Sequence, residues 1–117
     1  MNTAATNPAQ TYHRMQIETA SIPSLVCMLH EQCALHLRQA MGSDSPLRRS
    51  LLDNVQNMLV LLQRSLKPID AIAKGLYHLY DYCYCLCEHE SKTELEHAVK
   101  IIDTLRWTFD ELRRNPG

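Results

Sequence analysis

Five cysteines and six histidines stand in a chain of 117 residues, several at spacings that thiol or metal chemistry could use. Cys83 and Cys87 are four apart, which puts two soft ligands on one helical face, but Cys85 between them points away. His30, Cys33 and His36 crowd an earlier stretch and likewise do not converge. A zinc centre needs four ligands meeting at one point, and neither run offers that. Glu94-x-x-His97 has the carboxylate–imidazole spacing of a bridged di-iron site. That chemistry requires the motif twice plus two further inward glutamates, and no second copy is present. The thiols therefore read as small core hydrophobes, and neither a metal nor another cofactor is expected. Cys83, Cys85 and Cys87 lie too close together for a disulfide framework, so reduced thiols in a cytoplasmic compartment follow. No Gly-x-Ser-x-Gly, P-loop or paired-glycine fingerprint occurs, and no catalytic residue is assigned.

The elements that must position these side chains are helices. Glycine is scarce, at 3 residues, and apolar residues recur at helical spacing. Residues 1–20 are rich in Asn, Thr, Ala and Gln and read as a flexible arm with Tyr12, Met15 and Ile17 as apolar members. Residues 21–117 form the expected folded domain. Ser21 caps the first helix, Pro23 suits its first turn, and Gly42 ends it. Its inner side is expected to carry Leu25, Leu29, Gln32, Cys33, His36 and Ala40. A second helix is predicted from a Ser45 cap and Pro46, with Leu47, Leu51, Leu52, Val55, Leu59 and Leu62 on one arc, up to the break at Pro68. A third is predicted over 69–90. Its apolar arc (Ile69, Ile72, Ala73, Leu76, Tyr77, Leu79, Tyr80, Cys83 and onward) covers about half the circumference, more than a single packing seam needs. Such breadth predicts two packing neighbours, or one neighbour and a ligand. Ser91-x-x-Glu94 is a capping box opening a fourth helix with Leu95, Ala98, Val99, Ile102, Leu105, Phe109 and Leu112 inward. Four helices of about 30 Å joined by short turns predict an all-α, antiparallel, up-down-up-down four-helix bundle.

Charge adds exclusions. Twelve basic residues face thirteen acidic ones, so no basic face for nucleic acid is expected. No apolar run is long enough to span a membrane, and the N-terminus lacks the basic flank and apolar core of a secretory signal. Tyr82 and Trp107 fall on polar sides of their helices. Together with Val60 and the broad third arc they point to a surface for another polypeptide.

The pattern from Tyr12 through Gln16-Ile17-Glu18-Thr19-Ala20-Ser21 to Leu25, Met28-Leu29 and Glu31 resembles the FliS family of flagellar export chaperones. The likeness resumes at Ser65-Leu66, Ile72-Ala73, Leu76 and Leu79-Tyr80-Asp81-Tyr82, then at Leu95 and Leu105-Arg106, covering residues 11–113. Phe109 stands where the family usually has tryptophan, His30 where it has another aromatic, and Ile22 intervenes between Ser21 and Pro23. The resemblance implies a cytoplasmic bundle that binds the disordered C-terminal segment of flagellin, prevents its premature polymerisation and delivers it to the export gate. Leu76, Tyr77, Tyr80, Tyr82 and Trp107 are the expected client contacts. Tyr12, Gln16 and Ile17 are the expected groove cover when the client is absent. A monomer or weak homodimer is expected, with no nucleic-acid partner and no membrane insertion. The alternative is a self-associating regulatory or adaptor bundle with Val60, Tyr82 and Trp107 as its contacts.

Overall fold

The computed structural model describes residues 22–66 and 71–114. Among these, four helices follow one another: α1 (Ile22–Met41), α2 (Ser45–Arg64), α3 (Ala71–His89) and α4 (Lys92–Arg114). Consecutive helices pack side by side and α4 closes back onto α1. With such short turns, each helix runs antiparallel to its neighbours, as the sequence predicts. No described helix is long and apolar enough to cross a membrane.

The helix ends follow local chemistry with some corrections. α1 stops at Met41, but Gly42 does not end it by a left-handed turn, since no described glycine has positive φ. The Gly42 amide instead donates to the Gln39 carbonyl (3.2 Å) and the Ser43 amide to that of Ala40 (3.2 Å), tightening the last turn. Asp44, rather than Ser45, caps α2: its carboxylate accepts from the Leu47 amide at 3.3 Å, with Pro46 following in the first turn. An anion suits the positive end of the helix better than a hydroxyl. α3 ends at His89, one residue before the predicted end, and the predicted start at Ile69 lies outside the described residues. Ser91 Oγ accepts the Glu94 amide (3.2 Å) and also pairs with Glu94 Oε1 (3.0 Å), so this capping box closes on the hydroxyl. Glu90, at φ 57°, makes the left-handed step that lets α3 reverse into α4.

The core is a layer of Leu37, Leu52, Leu59, Leu62, Leu95 and Ile102, all buried, and the burial of these large aliphatics drives closure of the bundle. Gln32, placed inward by the sequence reading, is exposed. Polar staples fix the bundle unevenly. Arg38 pairs with Asp103 and so joins α1 to α4. Arg49 on α2 donates to the Cys87 carbonyl (3.3 Å), Glu90 (3.3 Å) and Gln56 Oε1 (2.8 Å). Gln56 in turn donates to the Tyr84 carbonyl at 3.2 Å. These bonds hold the C-terminal half of α3 onto α2. In the N-terminal half, Gln63 Nε2 of α2 donates to the Tyr77 carbonyl at 3.2 Å. Contacts of α3 with its two neighbours are sparser than those of α1. Among the described helices, the one with the widest apolar arc is also the one packed most sparsely against its neighbours.

Candidate functional site

α3 divides its apolar arc between core and surface. Ala73, Tyr80, Cys83, Leu86 and Cys87 are buried. Ile72, Tyr77, Leu79 and Tyr82 remain 77, 49, 38 and 45% exposed. The i, i+3, i+7, i+10 spacing of Ile72, Gly75, Leu79 and Tyr82 gathers them on one stripe, on the side of α3 that faces α4. Opposite lie Ile101 and Leu105 of α4, with Leu112 (60% exposed) on the same stripe about two turns beyond. Between them the seam holds a hollow of about 370 Å³ lined by Leu79, His97, Lys100, Ile101, Thr104 and Leu105. Toward the α3–α4 turn it continues into a more polar hollow of about 500 Å³ that includes Tyr82, Leu86, Glu94, His97 and Lys100. Tyr82 bonds to His97 Nδ1 at 3.2 Å across this seam, its ring edge-on to the imidazole. On the other flank of α3 a cleft of about 430 Å³ opens against α2, with Tyr77 and Ala73 on its wall.

The expected contact residues do not share one surface. Tyr82 lies on the exposed stripe and Tyr77 on the α2 flank, while Leu76 is half-buried against the core. Tyr80 is 1% exposed, and its hydroxyl bonds to His30 Nε2 at 2.9 Å across the bundle's diagonal. Tyr80 thus belongs to the core under α3 and lines none of the three hollows. Trp107 is 67% exposed on α4, two positions from Leu105 and so turned away from the seam. Tyr12, Gln16, Ile17 and Ser21 lie outside the described residues. The sequence reading placed Leu112 on a buried stripe and Ile72 and Leu79 on the broad arc of the third helix; the structure leaves all three exposed. The excess width of the third arc was the signal for this.

Gly75 sits mid-helix on the exposed stripe, and a Cβ added there would meet no other atom within 4 Å. Nothing among the described residues requires a glycine, which costs a helix interior about 0.5–1 kcal/mol relative to alanine. Gly75→Ala is expected to raise stability by about that amount in denaturant titrations. A loss of stability would reveal a contact not evident here.

The titratable groups beneath this surface are quiet. Burial lowers the His30 pKa to about 4. Burial, reinforced by neighbouring thiols, pushes Cys33 up, and burial pushes Cys83 and Cys87 up to about 12. A nucleophilic or metal-binding thiol needs the reverse shift. Among the described residues no group of three or more His, Cys, Asp or Glu could hold a metal ion. The site offers apolar relief flanked by polar rims, suited to holding a helix of another polypeptide.

A sequence model of the family described as "Flagellar protein FliS" matches residues 5–116. No curated protein and no solved structure gives a significant match.

Proposed function

This chain belongs to the FliS family of flagellar export chaperones, and from that premise we propose that its client is the disordered C-terminal segment of flagellin. The carrying observation is the stripe Ile72–Gly75–Leu79–Tyr82, left exposed beside an unfilled seam on the most sparsely packed of the described helices. A client segment unable to bury its apolar face alone folds as a helix into that seam, with Leu76 and Tyr80 supporting it from below. Ordering the segment costs roughly 2–5 kcal/mol, which keeps capture reversible, as a carrier that delivers its cargo to the export gate in the cytoplasm requires.

The arm has a role in the same scheme. In an antiparallel bundle α1 begins at the end where α3 begins and α4 finishes. Residues 1–20 precede α1 at that end, and in this proposal Tyr12, Gln16 and Ile17 cover the seam until the client displaces them. The carrier acts as a monomer or weak homodimer.

The test is calorimetric titration of a flagellin C-terminal segment into the full chain and into a chain lacking residues 1–17, together with a flagellin polymerisation assay. A stoichiometric complex, delayed polymerisation and undiminished affinity without the arm are expected. Absence of any complex overturns the client reading, and strong loss on deletion overturns the arm's role as cover.

A further inference from the structure

The two flanks of α3 differ in charge. The seam against α4 mixes Glu94 and Glu96 with His89, His97 and Lys100. The cleft against α2 has an apolar floor of Val60, Leu66, Ala73 and Tyr77 beneath Arg64, Lys74 and His78, with no carboxylate among its lining residues. From Arg64 to His78 the sequence carries three cations (Arg64, Lys67, Lys74) against the single carboxylate of Asp70. Neither Arg64 nor Lys74 has an acidic partner among the described residues.

The cations do not have equal reasons to be there. Arg64 ends α2, where the helix's negative pole favours a cation. Lys74 lies at the start of α3, whose first turn holds no acidic residue. There the positive pole of the helix adds to the lysine, an arrangement unfavourable to the isolated chain and favourable to an incoming anion.

We propose that the α2–α3 cleft is a docking site for an amphipathic helix carrying carboxylates beside its apolar stripe, with Lys74 and Arg64 as the residues that select for them. The apolar floor takes the stripe, and the cations pair with glutamates or aspartates one turn apart on its edge. The described residues offer no sheet edge to pair with a strand, and an apolar floor rimmed by charges between two helices suits a helix laid along it. Naming the exported client as the source of this helix rests on the client reading above; the charge preference of the cleft does not.

Lys74→Glu separates binding from folding, because an acid in the first turn of α3 favours that helix. Two probes are titrated into wild type and variant by fluorescence anisotropy, each at low and high salt: the flagellin segment and a synthetic leucine-striped helix with glutamate flanks. A lysine-flanked copy of the synthetic helix is the control. Wild type is expected to bind the glutamate-flanked helix and not the control. Lys74→Glu weakens both the glutamate helix and the flagellin segment about fivefold or more, a difference that salt erases, while the thermal midpoint holds or rises. Equal binding of the two synthetic helices, or unchanged affinity for the glutamate helix in the variant, overturns the cleft's charge selection. A flagellin segment that fails to bind wild type sinks the client reading alone, and the synthetic helices then still decide the cleft.

Discussion

Ile72→Asp weakens capture of the flagellin segment by about thirtyfold or more while leaving the bundle folded. Ile72 is 77% exposed, so its replacement removes almost no burial from the core. As the second residue of α3, an aspartate there also meets the positive end of the helix and favours it. In the complex the same carboxylate faces an apolar helix without a partner, a desolvation penalty of the size that defines an interface hot spot, about 2 kcal/mol or more. Leu79→Asp acts in the same direction with some loss of stability, since Leu79 is 38% exposed and lines the seam. Tyr80→Ala is a poor probe by comparison. It empties a fully buried position and costs about 3–5 kcal/mol of folding stability, so any affinity lost would report the scaffold. Trp107→Ala retains affinity if the client stays within the seam; a large loss there would mean the client reaches round α4. Titration calorimetry beside circular dichroism decides the matter, and wild-type affinity in Ile72→Asp removes the stripe from the site.

The elements were legible in the sequence because their signals are local. Ser91 and Glu94 sit three apart and cap α4 as the spacing demands. Gly42 follows directly on the last residue of α1, while Pro68 lies outside the described residues. Even where Asp44 replaces Ser45 as the cap, the shift is one residue, because several short polar side chains compete for the same amides. The division of α3 was not legible. A half-circumference apolar arc says that a helix has more hydrophobic surface than one seam can cover, without saying which edge stays uncovered. That is settled by how closely α2 and α4 approach, and their approach depends on staples such as Arg49 to Cys87 and Glu90, about forty positions apart. Tyr80 sits within the motif that carries the family likeness, yet it lies in the core, where its hydroxyl pairs with a histidine fifty positions earlier. No local spacing reports such a pair.

That pair has a consequence in acid. His30 is fully buried, stacked on Phe109 with ring centres 5.1 Å apart and bonded to the Tyr80 hydroxyl through Nε2. Its Nδ1 has no hydrogen-bond partner of normal geometry. Burial lowers the pKa to about 4, and the Val26 carbonyl one turn back pulls upward too weakly to offset it. An unfolded histidine titrates near 6.5. Above that pH both states are neutral and the shift contributes nothing to the slope. Between about 6.5 and 4 the unfolded chain takes a proton that the native one refuses, so stability falls by up to about 1.4 kcal/mol per pH unit and about 3 kcal/mol in all. In His30→Phe this component is absent. At pH 7 the variant is less stable by about 1–3 kcal/mol, because the Tyr80 hydroxyl is left buried and unpaired. As the pH drops toward 4 the gap closes and then reverses, since the remaining histidines and carboxylates titrate alike in both proteins. Urea unfolding at half-unit steps from pH 7 to pH 4 reads this directly. Curves that stay parallel across that range would show that the buried imidazole accepts its proton without loosening the fold.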